Sequence, residues 1–174
     1  MGGCAQRVKA EEAGTCGCAE GRVVALFVKA RKGGSMAARD AVTLVAQRGV
    51  EGDAGCCEHS PRQLLLVTVE GAAALGRACP PGALRENVRL SLPRGALESG
   101  AVVRLGTDVR LRVSFACEPC SAGARAWALC AGEDECAGER LAALRVAGRG
   151  TLATVLCGGR RGAGEEKRNR PHIN

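Results

Sequence analysis

The sequence predicts a mostly β domain with a few short helices, and three observations support this fold class. Short runs rich in Val and Leu recur along the chain, Gly and Pro separate them at close and irregular spacing, and few stretches have helical periodicity. A length of 174 residues suits one compact domain, in which Val, Leu and Ala fill the core because aromatic residues are only 2%. Many short strands with such turns favour a closed barrel or a sandwich.

The predicted elements follow one another with few gaps. The Val-rich segment GRVVALFVK begins the series, and the later segment LLLVTV is apolar throughout, as is typical of a buried strand. The turn GTD joins two strands into a hairpin. The predicted strands are 21–29, 41–47, 64–69, 85–90, two within 96–115, and 151–159, and the predicted helical turns are 70–76 and 138–148.

These elements predict one domain with two irregular ends. Residues 1–20 are expected to form a flexible leader, 21–159 the folded domain, and 160–174 a basic, disordered tail. The leader lacks the apolar segment of a signal peptide, and no run of 18 apolar residues predicts a transmembrane helix. The 11 cysteines are an odd number, which favours reduced thiols and a cytoplasmic location, with an organelle not excluded.

The net charge of +7 favours anionic partners. The chain has two Phe, one Trp and no Tyr, so a platform on which nucleic-acid bases stack is difficult to build. Nucleic acid is therefore not an expected partner, and phosphate groups, an anionic membrane face and a generally basic surface without a specific anion site stay open.

The segment GVEGDAG, with the following RQ, contains the first cluster of candidate binding residues. Gly52 permits a tight turn and close approach of the backbone to a ligand, and Asp53 accepts hydrogen bonds. Arg62 precedes a strand, which would hold its base while the guanidinium binds phosphate; Gln63 follows it. The alternative is a structural pair of Asp53 and Arg62 that braces a long loop.

The segment RENV places Glu86 next to Asn87. If the segment is a strand, the two side chains point to opposite faces, so that one could face a ligand while the other braces a loop. The motif is too short to decide between these roles.

The segment CEPC holds two cysteines at the end of a predicted strand, and Pro119 between them fixes the turn. A thiolate of Cys117 or Cys120 on such a loop is exposed and directed. A thioredoxin-like pair is disfavoured because the segment follows a β hairpin rather than opening a helix of a βαβ unit. Zinc is an alternative, since Cys130 and Cys136 could complete four ligands with Cys117 and Cys120.

The order of these segments resembles that of the MOSC domain family, named after the C-terminal part of molybdenum cofactor sulfurase. The resemblance covers 21–159, and the segments that carry it are GRVVAL, GVEGDAG, RQLLLV, GALRENV, LESGAVVRLG and CEPC. It implies a MOSC-type β-barrel that works with the molybdenum cofactor or with sulfur.

The family's reactive cysteine matches Cys120, with Cys117 as the reserve candidate. The resemblance implies that Cys120 ligates molybdenum through the cofactor or carries a persulfide, and that Gly52, Asp53, Arg62, Gln63, Glu86 and Asn87 bind the cofactor. The implied function is sulfur transfer or reduction of N-hydroxylated compounds, and the sequence does not decide between a sulfurtransferase and an oxidoreductase.

The chain is too short for the pyridoxal phosphate domain of the sulfurases, so no pyridoxal phosphate site is expected. A cysteine desulfurase or an electron-donor protein is the expected partner, together with a small-molecule substrate. The alternative function is a zinc-stabilised, cysteine-rich binding module without catalysis.

Overall fold

The computed structural model describes residues 7–12, 15–131 and 137–162. Within them the chain forms eleven strands, three α-helices and one 3₁₀ turn, Arg94–Leu97. The strands are β1 Arg7–Glu12, β2 Thr15–Val28, β3 Ala37–Arg39, β4 Ala41–Val45, β5 Gly49–Val50, β6 Leu64–Thr68, β7 Val88–Ser91, β8 Val102–Leu105, β9 Val109–Ala116, β10 Thr151–Cys157 and β11 Gly159–Gly162. The helices are α1 Val69–Ala73, α2 Ser121–Ala131 and α3 Ala137–Ala147.

The strands form two sheets. The larger has eight strands in the order β1-β8-β9-β10-β6-β7-β2-β3, with an additional pairing of β1 with β2, and the smaller has the order β11-β4-β5. All pairings are antiparallel except that of β6 with β7. The mostly β class with a few short helices is confirmed, whereas the MOSC-type barrel stays a prediction.

The parallel pair β6 and β7 positions the RENV segment. Parallel neighbours need a crossover connection, and here it consists of α1 and the loop 74–87. The side chain of Thr68 caps α1 by accepting a hydrogen bond of 2.9 Å from the backbone N–H of Gly71. The crossover therefore returns the chain to the sheet between β6 and β2, with Glu86 and Asn87 directly before β7.

Strand β6 lies at the centre of the core and is buried on both faces. Its side chains alternate between two apolar clusters, as those of any strand alternate between two faces. Leu64 and Leu66 join the cluster between the sheets, and Leu65 and Val67 join the cluster under the helices. The second cluster includes Trp127 of α2, so that α2 is fixed against the strand from which the site is built.

Several elements differ from the sequence-based expectations. Strands β1 and β2 occupy most of the segment predicted as a leader, and β11 pairs with β4 where the tail was predicted to begin. Helix α2 follows CEPC directly, although no helix was predicted there. The other parts of the predicted leader and tail, and residues 132–136, lie outside the described residues. In the described part of the chain, no helix has the length and apolar character needed to cross a membrane.

Candidate functional site

The CEPC segment connects the end of β9 to the start of α2. The backbone N–H of Cys117 donates a hydrogen bond of 2.8 Å to the carbonyl of Gly150, which holds the segment beside the start of β10. The carbonyl of Cys120 accepts a hydrogen bond of 3.1 Å from the N–H of Ala124 in the first turn of α2. Cys120 therefore stands at the N-terminus of a helix, where the helix dipole favours negative charge.

Arg149 brings the two cysteines into one site. Its Nη1 lies 3.6 Å from Sγ of Cys117 and 3.4 Å from Sγ of Cys120. Its Nε and Nη2 donate hydrogen bonds of 3.2 and 3.0 Å to the carbonyl of Leu84, which fixes the plane of the guanidinium. We call Cys117, Cys120 and Arg149 the thiol site.

Two glycines shape the surroundings of Arg149: Gly123 leaves space for its guanidinium, and Gly150 lets the neighbouring chain pass close to β6. A Cβ on Gly123 of α2 would lie 3.0 Å from Nε of Arg149, so that a larger residue would push the guanidinium aside. Gly150 has a φ of 136°, and a Cβ there would lie 2.5 Å from the carbonyl oxygen of Leu66. The sequence analysis missed Arg149, and the segment GRG between α3 and β10 is the signal that could have found it.

The electrostatics of the thiol site distinguish its two cysteines. Burial raises the pKa of the Cys117 thiol above its ordinary value, and a negative charge on Cys120 would raise it further. Arg149 and Arg62 act in the opposite direction, and burial prevails. Cys117 is therefore a neutral, half-buried thiol at neutral pH, whereas Cys120 is exposed and accessible to a ligand.

Arg62 lies close enough to Cys117 to lower the pKa of its thiol, although burial of Cys117 prevails. Its guanidinium carbon is 5.5 Å from the centre of the Phe115 ring, in a cation–π contact. Arg62 is exposed, and within the described ranges no carboxylate pairs with it. It can therefore meet an anionic group near the thiol site.

Asp53 forms no pair with Arg62 and instead braces the loops through other bonds. Its Oδ2 accepts hydrogen bonds of 2.7 Å from the N–H of Lys29 and 3.0 Å from Nδ2 of Asn87. Its Oδ1 accepts one of 2.6 Å from the N–H of Gly55. Gly52, with a φ of 75°, supplies the turn before it. The carboxylate is buried, so its bonds are made within the protein.

Both members of the Glu86–Asn87 pair are buried and bonded to the protein. The side chain of Asn87 accepts a hydrogen bond of 3.0 Å from the N–H of Leu65 at the start of β6. The carboxylate of Glu86 accepts bonds of 2.9 Å from the N–H of Gly82 and 3.1 Å from that of Leu84, and it pairs with Arg89. We call Asp53, Glu86 and Asn87 the polar lock, and their direct contact with a cofactor stays a prediction.

Gln63 has one bonded and one unbonded polar atom. Its Oε1 accepts a hydrogen bond of 2.8 Å from the N–H of Val155, while Nε2 is buried and has no partner among the described residues. A buried donor without a partner is costly. Cofactor contact by Gln63 also stays a prediction.

The zinc alternative gains no support from the described part of the chain. Cys130 lies near the end of α2, about 15 Å along the helix axis from Cys120, because an α-helix rises about 1.5 Å per residue. The described residues contain no group of three or more His, Cys, Asp or Glu that could hold a metal ion. Cys136, the fourth proposed ligand, lies outside the described residues.

Comparison with solved structures supports the fold. The YuaD protein from Bacillus subtilis is similar with a TM-score of 0.70 and 15% identity, over 92% of this chain and 94% of that chain. YiiM from Geobacillus stearothermophilus is similar with a TM-score of 0.56 and 20% identity, over 83% of this chain and 72% of that chain. A hypothetical protein of known structure is similar with a TM-score of 0.58 and 18% identity, over 82% of this chain and 63% of that chain.

At these identities the likeness concerns the fold alone, and no curated protein matches the sequence. The family model described as MOSC domain matches residues 63–166, a span that begins at Gln63 and contains both the polar lock residues of RENV and the thiol site. This span is more than half of the chain. The chain therefore belongs to the MOSC domain family.

Proposed function

We propose that this MOSC domain binds the molybdenum cofactor with Cys120 as its reactive thiol, and that it acts in sulfur transfer or in the reduction of N-hydroxylated compounds. The observation that carries the proposal is the exposed thiol of Cys120 at a helix N-terminus, next to a fixed arginine and a second thiol. The form of a cysteine that binds metals and carries sulfur is the thiolate, and Nη1 of Arg149 lies 3.4 Å from the sulfur of Cys120.

The residues of the thiol site suit the cofactor chemically. A soft thiolate is a suitable ligand for a metal already bound by sulfur, and it also suits a persulfide. When bound, the cofactor supplies a metal that changes its oxidation state. The exposed guanidinium of Arg62 is available for the phosphate of the cofactor.

The residues of the chain divide the work among them. Cys120 presents the sulfur, and Arg149 keeps a permanent positive charge beside it because a guanidinium does not lose its proton in proteins. Cys117, a neutral thiol, can hold a proton next to Cys120, and it is the reserve candidate for the reactive thiol. Arg149 thus places a fixed cationic group 3.4 Å from the sulfur of Cys120.

The other predicted cofactor-binding residues take a supporting role in the proposal. Gly52 and the polar lock hold the loops that flank β6 and β7. Gln63 bonds to the backbone of Val155 and so holds the start of β6 against β10. Nε2 of Gln63 is a buried donor that a ligand atom could satisfy.

The proposal includes the barrel that the family resemblance implies. Its support is that β1, the first strand in the order of the large sheet, pairs with β8 and also with β2. Only β3 lies beyond β2 in that order, so the pairing of β1 with β2 connects the two sides of the sheet. Strand β6, which leads into α1, and β9, which leads into CEPC, both pair with β10. In such a barrel the thiol site would stand at the end of adjacent strands.

The partners of the proposal follow from the two chemistries. Sulfur transfer requires a cysteine desulfurase that delivers a persulfide to Cys120, because no pyridoxal phosphate site is expected in this chain. Reduction requires an electron-donor protein and a small-molecule substrate. In both cases we propose a cytoplasmic location, where the thiols stay reduced.

The molybdenum content of the purified protein tests the proposal. The wild type, Cys120→Ser and Cys57→Ser are produced in a host that makes the cofactor, and metals are measured per chain. We expect molybdenum in the wild type and in the exposed-loop control Cys57→Ser, and its loss in Cys120→Ser. Molybdenum retained in Cys120→Ser would assign the ligand to another residue, with Cys117→Ser as the next variant.

A second measurement separates the two chemistries. The wild type is incubated with a cysteine desulfurase and cysteine, and Cys120 is analysed by mass spectrometry. The added mass of one sulfur atom on Cys120 supports the sulfur carrier. Its absence, together with cofactor-dependent reduction of an N-hydroxylated compound, supports the reductase.

A further inference from the structure

A cavity of about 470 Å³ lies between α2 and two loops. The loop 33–36 and the loop 81–85 form its other walls. Its apolar lining comes from Phe27, Met36, Pro81, Ala122, Ala126 and Leu129. This volume lies within the range of about 300–1,000 Å³ that is usual for small-molecule sites.

One face of α2 forms a wall of the cavity. Ala122, Arg125, Ala126 and Leu129 line it, and their spacing of three and four residues places them on the same side of the helix. The first of them comes two residues after Cys120 in the sequence. The cavity therefore begins within one helical turn of the proposed reactive thiol.

Arg85 on the facing loop has an unusual backbone conformation. Its φ is 63°, a left-handed value that costs energy for a residue with a side chain. Glu86 holds the segment directly before Arg85, since its carboxylate accepts hydrogen bonds from the N–H groups of Gly82 and Leu84. The buried carboxylate thus holds the loop in the shape that places Arg85 in the cavity lining.

The cavity combines two cationic side chains with apolar walls. Arg85 and Arg125 both line it, and in the described part of the chain neither is paired with a carboxylate. Gly82 also belongs to the lining, and a Cβ there would lie 2.9 Å from the ring of Phe27. Two guanidinium groups and several apolar side chains in one lining suit a molecule with an apolar body and an anionic group.

We propose that this cavity binds a small organic anion, with its carboxylate, sulfonate or phosphate on Arg85 and Arg125 and its apolar body against α2. The proposal of a binding site depends only on the residues that line the cavity. Its assignment as the place for the organic part of the substrate of Cys120 rests on the proposed function. The carbonyl of Leu84, next to Arg85, holds Arg149, so that one loop contacts both the cavity and the thiol site.

Titration calorimetry with 2-naphthalenesulfonate tests the binding site. The protein comes from a host that lacks the molybdenum cofactor, and the variants are Arg125→Gln, Arg85→Asn and Ala126→Leu. Asn is chosen at position 85 because it tolerates a positive φ, and Leu at position 126 fills the cavity without a charge change. Arg145→Gln, at an exposed position of α3, is the matched control.

We expect each of the three variants to weaken binding by about tenfold, which is the effect of losing a charge-assisted hydrogen bond or a cavity contact. The control Arg145→Gln keeps the wild-type affinity, and the neutral analogue 2-naphthalenemethanol binds more weakly than the sulfonate. Equal affinity of all variants, or equal affinity for the neutral analogue, overturns the proposal.

Cys130 provides a second measurement that does not depend on the variants. It lines the cavity and is exposed, whereas Cys57 is exposed on the loop before β6. We expect the sulfonate to slow alkylation of Cys130 by N-ethylmaleimide and to leave Cys57 unaffected. Equal protection of both cysteines, or of neither, overturns the site.

The two proposals fail in different ways. Cys120→Ser removes the reactive thiol and leaves the cavity intact, so it keeps the wild-type affinity for the sulfonate even if the proposed function is wrong. Protein loaded with the molybdenum cofactor also keeps this affinity if the cavity serves the substrate. If protein loaded with the cofactor no longer binds the sulfonate, the cofactor occupies the cavity, and this result would overturn the substrate assignment.

Discussion

The polar lock and the two cysteines of the thiol site come from the same series of sequence motifs, but they have opposite environments in the structure. Asp53, Glu86 and Asn87 are buried, and their bonds are made to the protein. Cys120 is exposed, and the guanidinium of Arg149 approaches its sulfur to 3.4 Å. A motif residue that is buried and fully hydrogen-bonded to the protein is therefore expected to stabilise the fold. An exposed motif residue is expected to contact a ligand.

This comparison gives an ordered set of expectations. Substitutions in the polar lock should reduce stability, because a buried polar group left without its partner costs free energy. Substitutions in the thiol site should change reactivity with little effect on stability. The expected effects below run from the largest to the smallest change in the free energy of unfolding.

Glu86→Ala should have the largest effect. Arg89 would remain buried without its carboxylate, and the N–H groups of Gly82 and Leu84 would lose their acceptor, so we expect a loss of about 3–5 kcal/mol in urea unfolding. Glu51→Ala, on an exposed turn, is the control and should change little. A loss for Glu86→Ala no larger than that of the control would remove Glu86 from the lock.

Asn87→Ala should cost about 2 kcal/mol, because Asp53 loses one donor and the N–H of Leu65 loses its acceptor. A double-mutant cycle with Asp53→Ala measures their coupling. We expect a coupling energy of about 1 kcal/mol, since the two side chains share a hydrogen bond of 3.0 Å. Additive effects of the two substitutions would show that they act independently.

Cys117 should give the protein a stability that depends on pH. Its folded pKa is raised, so the unfolded chain loses the thiol proton at a lower pH than the folded chain does. Stability from this group is therefore complete below the ordinary thiol pKa and falls as the pH rises through the folded pKa. Unfolding of the wild type and Cys117→Ala between neutral and alkaline pH measures this; parallel curves would contradict it.

Arg149→Gln should change reactivity more than stability. Arg149 lowers the pKa of Cys117, so its loss raises that pKa further and slows alkylation of Cys117 by iodoacetamide at a fixed, mildly alkaline pH. Arg145→Gln, which lies on α3, serves as the control. An unchanged alkylation rate in Arg149→Gln would show that its contact with the thiol has no electrostatic effect.

Much of the fold could be predicted because its signals are local. The apolar run at β6 and the GTD turn between β8 and β9 have one natural interpretation each. Strand β1 and the start of β2 were not predicted because their sequences, RVKAEE and TCGCAEG, are mixed in polarity. They become strands because they pair with each other and because β1 also pairs with β8. Such pairing is a property of the folded chain rather than of the segment.

The thiol site was predicted only in part for a similar reason. Cys117 and Cys120 are close in sequence and were found together. Arg149 is about thirty residues away and reaches them only because α2 and α3 fold back onto the sheet. Helix α2 was missed although the Ala content of SAGARAWALCA favours a helix. Its position depends on the burial of Trp127, which only the folded chain shows.

The central claim is that the polar lock serves the fold and that Cys120 serves the chemistry. The most direct test is the molybdenum content per folded chain of Asn87→Ala and Cys120→Ser, each produced in a host that makes the cofactor. The account predicts that folded Asn87→Ala keeps its molybdenum although it unfolds more easily, and that Cys120→Ser loses its molybdenum with the stability of the wild type. Molybdenum retained in Cys120→Ser and lost from folded Asn87→Ala would contradict it.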